Sequence, residues 1–370
     1  MRALALSALL GLCSLACAAK QQQIASPTSP PANPQAVGKM VQGVQSAKDP
    51  SGKERGIQLL RDAVSSDPGL WEAHYNLGVL LADKGDLKAA ERELAGAAQT
   101  APNAEDVLVA LAEVRRRQGD ADGAIEALQP FVKQNPDAKV ATIALVAALR
   151  EGGKVKEAIE QAQRVLVYHS SDPYALSELA LANMELDEVD TAELLIEEAL
   201  KADDKSAVAE RTAGLISLRK GDDAVAFKHF QRASELDPKD TTARLNTGTV
   251  LLQAGVYDKA AQEFRAVLAV EPESTDAMLG LAAARRGQGK RDDQSGYLEA
   301  EKLLKGVLDR EPKNVDATFN LAILYSDYLK RPNDATPLLQ RFLDDAPKNH
   351  PGRPEAERMM SGVQPGALKK

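Results

Sequence analysis

The sequence predicts an all-α protein, a right-handed α-solenoid (superhelix) of about nine helical hairpins. Three observations predict this fold. A segment with two apolar helical faces recurs every 34 residues, one place holds Gly or Ala in every copy, and Gly or Pro stands where most of the helices must stop, with Ser170 and Asp204 as exceptions. Because the apolar face of one hairpin is too wide to bury alone, neighbouring hairpins must stack on each other.

The clearest copy of the repeat runs from Ala207 to Asp240. Two segments with the apolar period of an α-helix flank Lys220-Gly221-Asp222, where Gly suits a helix C terminus and Asp the next N-cap. A second stop follows at Leu236-Asp237-Pro238. We expect Gly214 and Ala226 to lie where the two helices cross, because larger side chains would hold the helices apart.

The other copies keep the same spacing along the chain. Their first residues are Val37, Trp71, Glu105, Lys139, Pro173, Ala207, Thr241, Thr275 and, after an insertion of about six residues near Lys290 to Gly296, Val315. The twentieth place holds Gly56, Ala90, Ala124, Ala158, Ala192, Ala226, Ala260, Ala300 and Ala335. Small residues at one phase of every copy indicate one helix crossing per hairpin.

This pattern resembles the tetratricopeptide repeat, a 34-residue unit with Leu-Gly early, a small residue in its second helix and Pro at its end. The resemblance covers Val37 to Asn349. It implies stacked helical hairpins whose first helices line a concave surface that binds protein partners. The large aromatic residues of the family are mostly Leu or Val here, and the first unit is degenerate, as expected of an N-terminal cap.

Residues 1–16 are predicted to be a signal peptide, since Arg2 precedes a small and apolar run that is too short for a stable membrane anchor. Ser14-Leu15-Ala16-Cys17 resembles a bacterial lipobox, which implies that Cys17 is lipidated, although lipoboxes usually have Leu in the place of Ser14. The alternative is ordinary signal cleavage near Ala18, which would leave no lipid anchor.

Residues 17–36 are predicted to contain the lipidated Cys and a disordered tether rich in Pro, Ser and Gln. Ala18 stands where similar lipoproteins of the inner membrane have Asp, so we expect an outer-membrane lipoprotein that faces the periplasm. A soluble periplasmic protein is the alternative. The solenoid is then expected at 37–349, and a short capping helix and a tail at 350–370.

Composition and motifs exclude several classes of function. A formal net charge of −8 argues against nucleic-acid binding. The two cysteines, Cys13 and Cys17, lie in the leader, and the four His residues show no pair at helical spacing that would suit zinc. The sequence has no Gly-rich phosphate loop and no nucleophile motif. We therefore expect no enzyme activity, no metal and no cofactor.

In similar proteins, ligands contact the second, fifth, ninth, twelfth and thirteenth places of each unit. Carried over to this chain, those places predict a partner-binding groove formed by Tyr75, Val79, Val109, Arg116, Arg117, Ile143, Arg150, Tyr174, Leu181, Met184, Arg211, Leu215, Arg219, Leu245, Leu252, Arg286, Phe319 and Ile323. Arginines beside apolar residues predict a peptide or helix with acidic and apolar side chains. The alternative is that a tightly wound solenoid buries part of this surface, with arginine stems covering apolar neighbours.

The sequence thus predicts a non-catalytic scaffold lipoprotein that binds protein partners and assembles or stabilises an envelope machine. The layout resembles that of gliding-motility lipoproteins with the same repeats, and pilus apparatus is a related possibility. A periplasmic adaptor of a polysaccharide or cell-wall synthesis or export system is the alternative, because arginines also suit an anionic polymer. The membrane contact is expected through the lipid anchor only.

Overall fold

The computed structural model describes residues 32–290 and 292–362. Within these residues the regular structure consists of nineteen α-helices and two short helical turns, which confirms the all-α prediction. The predicted signal peptide at 1–16, Cys17, the tether up to residue 31 and the final residues 363–370 lie outside the described residues.

Helices with odd numbers are the first helices of the hairpins. They are α1 (Pro34–Ala47), α3 (Trp71–Lys84), α5 (Glu105–Arg117), α7 (Lys139–Glu151), α9 (Pro173–Glu185), α11 (Ala207–Arg219), α13 (Thr241–Gln253), α15 (Thr275–Gln288) and α17 (Val315–Ile323). Apart from α1, each begins at the residue where the sequence places the start of a repeat. Helix α1 begins at Pro34, within the segment expected to be tether, and Asn33 caps it by accepting a hydrogen bond from the Gln35 amide.

Helices with even numbers are the second helices. They are α2 (Lys53–Ser66), α4 (Leu87–Thr100), α6 (Ala121–Gln134), α8 (Val155–Tyr168), α10 (Val189–Ala202), α12 (Asp223–Leu236), α14 (Tyr257–Val270), α16 (Ser295–Arg310) and α18 (Pro332–Asp345). A last helix, α19 (Arg353–Gly362), follows them, and Ala356 packs it onto a cluster that contains Leu339 and Phe342.

The chain divides into two compact units, Met1–Asp222 and Asp223–Lys370. The first unit contains α1 to α11, and the second contains α12 to α19. Each unit has its own apolar clusters, in which residues of successive hairpins pack together. In the first unit, for example, Leu128 of α6, Leu149 of α7 and Ala162 of α8 belong to one cluster.

Small residues allow the helices to approach closely, as the repeat pattern predicts. In the first unit, a Cβ atom added to Gly78 would lie 2.6 Å from Cγ of Leu94. In the second unit, the ring of Phe264 occupies the space beside two glycines, and an added Cβ would lie 2.8 Å from the ring at Gly248 and 2.4 Å at Gly280. Since carbon atoms cannot approach so closely, a larger residue would force these helices apart.

The turn within each hairpin needs a residue in the left-handed backbone region. The fifteenth place of the repeat has positive φ in six hairpins, at Gly85, Gly119, Gly153, Asp187, Gly221 and Gly255. Gly289 departs from this pattern with φ of −60°, because the inserted loop follows it. There, Lys290 and Asp293 exchange backbone hydrogen bonds of 3.1 Å, and α16 begins two residues later at Ser295.

The last hairpin contains one extra residue, which the structure places in a π-helical turn at Leu324–Tyr328. The small residues Ala322 and Ala335 are 13 residues apart, whereas the equivalent Gly78 and Ala90 are 12 apart. The amide of Leu329 accordingly donates to the carbonyl of Leu324, five residues back, at 2.9 Å. The left-handed residue of this hairpin is therefore Lys330, with φ of 55°.

Replacing Lys330 by Gly should raise the free energy of unfolding by about 0.5–1 kcal/mol. The left-handed backbone costs a residue with Cβ about 1–2 kcal/mol, while Gly loses about 0.5–1 kcal/mol more chain entropy on folding. Urea unfolding followed by circular dichroism measures the difference. Gly153→Ala at the equivalent place is the matched control and should lower the stability. A lower stability for Lys330→Gly would contradict the strain assigned to this turn.

Candidate partner-binding groove

The predicted groove residues lie on first helices in both units, and nearly all of them are half-buried. The residues from Tyr75 to Arg219 belong to the first unit, and those from Leu245 to Ile323 belong to the second. Tyr174, with 44% of its surface exposed, and Arg219 are the two exposed members. A row of half-buried side chains is the expected state of residues that cover a core on one side and face solvent on the other.

An apolar row runs along the N-terminal halves of α3, α5, α7 and α9 in the first unit. Tyr75, Val109 and Ile143 occupy the fifth place of successive repeats and are half-buried. Val140 and Tyr174, at the second place of their repeats, are 46% and 44% exposed. We call these five residues the apolar row. Exposed apolar side chains at the same places of neighbouring helices are typical of an interaction surface.

A second row, at the C-terminal ends of these helices, is charged. Nη2 of Arg116 lies 2.5 Å from Oε1 of Glu151, in the next repeat, and its Nη1 lies 2.9 Å from Oε2 of Glu113. Arg150 repeats the arrangement one hairpin later. Its Nε and Nη1 donate to Glu178 at 3.1 Å and to Glu185 at 2.9 Å.

These contacts form a continuous ion-pair ladder across α5, α7 and α9. The side chains of Arg116 and Arg150 are only 21% and 15% exposed. Burial alone would lower the pKa of Arg116, but its hydrogen bond with Glu151 and the nearby carboxylates raise the pKa above the usual value. The two guanidinium groups thus stay charged and are already paired, which agrees with a role in joining the helices.

The other predicted arginines of the first unit have different surroundings. Arg117 donates from Nη1 to the carbonyl of Ala82 at 3.1 Å, near the C terminus of α3. Arg219 pairs with Asp187 at 2.9 Å, and both side chains are more than half exposed. Arg211 is half-buried on α11. Only the exposed pair leaves its charges readily accessible to a ligand.

The surroundings of the apolar row shift the pKa values of Tyr75 and Asp106. Burial raises the pKa of Tyr75 above its usual value, and the negative charge of Asp106 adds to the effect. Asp106 is exposed, yet partial enclosure by the surrounding residues raises the pKa of its carboxyl as well. The carboxyl of Asp106 is therefore near enough to Tyr75 to affect its pKa.

In the second unit, several predicted groove residues mainly cover the core. Leu245 and Leu252 pack against the cluster of Leu251 and Phe264. Phe319 lies with its ring centroid 4.8 Å from that of Phe342, and Ile323 is half-buried. This arrangement corresponds to the alternative that part of the predicted surface is packed.

Arg286 has a distinct setting in the second unit. Its guanidinium lies over the ring of Tyr328, 5.5 Å from the centroid, and its Nη1 donates to Oδ1 of Asn320 at 3.4 Å. Tyr328 in turn contacts the buried Tyr297, with ring centroids 5.3 Å apart. The sequence reasoning did not identify Tyr328, although the extra residue between Ala322 and Ala335 was a signal.

The described residues contain no group of three or more His, Cys, Asp or Glu that could hold a metal ion. His74 and His350 instead pair with carboxylates, at 2.8 Å from Glu93 and 3.2 Å from Asp316. The hydrogen bond with Glu93 raises the pKa of His74. Within 32–290 and 292–362, no helix is both long and apolar enough to cross a bilayer.

One cleft of about 290 Å³ lies in the first unit, near the end of α8. It is lined by Pro136, Asp137, Lys139, Thr142, Arg164, Val165, Tyr168 and His169. Lys139 pairs with Asp172 at 2.8 Å, and Arg164 donates to the carbonyl of Pro136 at 3.3 Å, so these two cations are engaged. Tyr168 is 76% exposed. The repeat pattern did not indicate this cleft.

Comparisons with known proteins agree with this architecture. The sequence model of the tetratricopeptide repeat matches residues 51–105, 109–175, 143–207, 211–269 and 245–293. The search of curated proteins gives no match. The chain is similar to a solved structure of the APC/C hetero-tetramer Cut9-Hcn1, with a TM-score of 0.59 and 15% identity, over 84% of this chain and 58% of that one. At such identity, the likeness concerns the fold.

Two further solved structures are similar. A tetratricopeptide repeat protein from Parabacteroides merdae has 17% identity and a TM-score of 0.44, over 70% of this chain and 97% of that one. A thermophilic TPR protein of Thermus thermophilus has 22% identity and a TM-score of 0.44, over 49% of this chain and 99% of that one.

Proposed function

We propose a function from the finding that the chain belongs to the tetratricopeptide repeat family. The fold is that of a protein-interaction scaffold, and we assign to this chain a non-catalytic role in assembling or stabilising an envelope machine, such as a gliding-motility or pilus apparatus. It would act as an outer-membrane lipoprotein that faces the periplasm. Its partners would be proteins of the envelope complex, bound through segments that lie on the first helices.

The observation that carries the proposal is the apolar row of the first unit. Val140 and Tyr174 expose 46% and 44% of their surface, beside the half-buried Tyr75, Val109 and Ile143. What distinguishes them from other exposed apolar residues is their place beside three half-buried apolar side chains, and a partner that covers the row would remove this apolar surface from water. Successive helices present them at a regular spacing, which suits an extended or helical segment with apolar side chains.

The ion-pair ladder favours one of the two proposed classes of partner. It combines Arg116 and Arg150 with four carboxylates, those of Glu113, Glu151, Glu178 and Glu185. An anionic polymer would meet more negative than positive charge here, which favours a protein partner over the polysaccharide alternative. The acidic residues predicted for the partner segment would then bind elsewhere, and Arg219 and Arg286 are the candidates.

The location is supported by sequence features alone. The lipobox-like Ser14-Leu15-Ala16-Cys17 is followed by a proline-rich stretch, and the first helix of the described residues begins at Pro34. A chain of this composition between a lipid and a helical domain would act as a flexible spacer. It would let the domain reach partners away from the membrane surface.

The proposal is tested by crosslinking in intact envelopes of cells that produce the protein. The double variant Val140→Asp/Tyr174→Ala should fold, because Val140 is exposed in the first turn of α7, where an acidic residue is favourable. We expect this variant to lose most of the crosslinked partner, since it removes the exposed part of the apolar row. Mass spectrometry of the captured proteins measures the loss.

The matched control is Leu194→Asp/Tyr168→Ala, which makes the same kinds of change on second helices, at residues that are 68% and 76% exposed. It should capture the partner as wild type does. Loss of the partner in this control alone would place the interface on the second helices or at the cleft near the end of α8 and would overturn the groove assignment.

The anchor is tested in the same cells with Cys17→Ser. We expect wild type to carry lipid on Cys17 and to sediment with the outer membrane, and the variant to lose both properties. A mature N terminus generated by cleavage after Ala18 would instead make the chain a soluble periplasmic adaptor. Capture of glycan-handling enzymes would support the polysaccharide alternative.

A further inference from the structure

We infer that Arg286 binds a carboxylate of the partner segment in the second unit, and that Tyr328 is the positioning residue that orients its guanidinium. This inference rests on the proposed function, because it assigns one contact of the partner that the scaffold binds. The partner chemistry is an Asp or Glu side chain next to an apolar residue.

Arg286 differs from the arginines of the first unit that form ion pairs. Arg116, Arg150 and Arg219 each have a carboxylate within 3.1 Å of the guanidinium. The contacts of Arg286 are the ring of Tyr328 and the amide oxygen of Asn320, so no described residue neutralises its charge with a carboxylate. A guanidinium has five N–H donors, and here one of them makes a bond of 3.4 Å, which is long for a hydrogen bond.

Two tyrosine side chains, Tyr297 and Tyr328, position the guanidinium of Arg286. Tyr297 is buried, and its hydroxyl donates to the carbonyl of Gly289 at 3.0 Å. Its ring contacts that of Tyr328 at 5.3 Å, and Tyr328 carries the guanidinium at 5.5 Å. The ring lies on one side of the guanidinium, and N–H donors other than the one bonded to Asn320 remain for a bidentate carboxylate.

Asn320 supports the same geometry from the neighbouring helix. Its Nδ2 donates to the carbonyl of Asp316 at 2.9 Å, and this bond turns Oδ1 toward Arg286. The carboxylate of Asp316 itself lies 3.2 Å from Nε2 of His350. The nearest acidic residue along the chain from Tyr328 is Asp327, which makes no ion pair with Arg286 in the described structure. The positive charge is therefore available to a ligand.

Apolar side chains form part of the surroundings of Arg286. Arg286 is half-buried at the twelfth place of α15, and the half-buried Phe319 and Ile323 lie on the next first helix, α17. Apolar neighbours lower the local dielectric and strengthen a charge-assisted hydrogen bond. Ile323 offers a contact to an apolar side chain beside the carboxylate of the ligand, whereas Phe319 packs on Phe342.

The extra residue of the last hairpin explains why this arrangement occurs once in the described residues. Tyr328 is the last residue of the π-helical turn Leu324–Tyr328, and a regular 13-residue first helix would have ended at Asp327. The insertion thus adds an aromatic ring beyond the usual end of the helix, where it lies beneath Arg286. Single π-turns of this kind are frequent at functional sites.

The test uses the full mature chain and three series of synthetic 12-residue peptides with alternating apolar residues and a central Glu, Gln or Lys. We expect at least one Glu peptide to bind about tenfold more tightly than its Gln counterpart, which corresponds to one charge-assisted bidentate contact. Fluorescence anisotropy measures the affinities. The preference should weaken as salt is raised.

Variants assign the preference to the residues named. Arg286→Gln should abolish it, and Arg286→Lys should keep only part of it, because an ammonium cannot pair in the bidentate manner. Tyr328→Leu should weaken Glu peptides while affecting Gln peptides less, a readout that a merely structural role would not give. Arg310→Gln, which removes an exposed arginine of the same unit from α16, is the matched control.

Equal binding of Glu and Gln peptides, preference for Lys, or no binding of any Glu peptide at millimolar concentration would overturn the inference. In the envelope crosslinking, loss of partner in Val140→Asp/Tyr174→Ala with full capture by Arg286→Gln would also overturn it, while the proposed function would stand. Full capture by both variants would remove the proposed function itself.

Discussion

Phe264→Ala is expected to lower the free energy of unfolding by about 3–5 kcal/mol, the largest effect of any single change considered for this chain. Phe264 is 2% exposed, and its ring fills the space beside Gly248 and Gly280 on two successive first helices. Truncation would leave a cavity, and glycines have no side chains with which to fill it.

Urea unfolding of the full chain, followed by circular dichroism, measures this effect through the midpoint and the slope. Leu298→Ala is a suitable control in the same unit, because Leu298 is 49% exposed and its truncation should change stability by no more than about 0.5 kcal/mol. If both variants were equally stable, Phe264 would not be the residue that joins these helices. Unfolding in two transitions would call for a separate free energy for each transition.

Arg150→Leu is expected to lower the stability by about 3 kcal/mol, the second largest effect. The substitution would leave the carboxylates of Glu178, 14% exposed, and Glu185 without the cation that they share, whereas Glu151 would keep its pair with Arg116. Breaking a buried pair is costly because the remaining charge is desolvated and unpaired. Adding Glu178→Leu should restore part of the stability, since the pair is then replaced by apolar side chains.

Arg219→Leu is the matched control for the ladder. Its pair with Asp187 has side chains that are 53% and 79% exposed, and exposed pairs contribute about 0–1 kcal/mol. The same urea experiment compares the two variants. An effect of Arg150→Leu as small as that of Arg219→Leu would mean that the ladder does not hold the first helices together.

Two arginines that the sequence analysis assigned to partner binding are paired within the ion-pair ladder. Arg116 reaches Glu151 and Arg150 reaches Glu185, and each pair spans 35 residues, which is one repeat plus one place. Both pairs therefore follow from one periodic rule, the twelfth place of a repeat with the thirteenth place of the next. The spacing was present in the sequence, and a search for opposite charges at this distance would have found it.

The features that could be predicted from the sequence are those with a local physical cause. The helix starts at Trp71, Glu105 and Lys139 agree with the structure because a helix begins where apolar period and stop signals meet. The glycines of the hairpin turns were also predictable, since few other residues tolerate positive φ. Asp187 and Lys330 were not identified as left-handed, although Asp187 occupies the fifteenth place of its repeat, where five other hairpins have a left-handed Gly.

The chain by itself determined the repeat, its register and the close helix crossings, because period, small residues and turn residues act within one hairpin. Only the tertiary structure decided which charges are neutralised and which remain available. That outcome depends on side chains from neighbouring repeats, as when Arg286 meets the amide of Asn320 and not a carboxylate, and on one inserted residue that brings Tyr328 close to Arg286. Such contacts are set by packing between hairpins, and residue types along one hairpin cannot specify them.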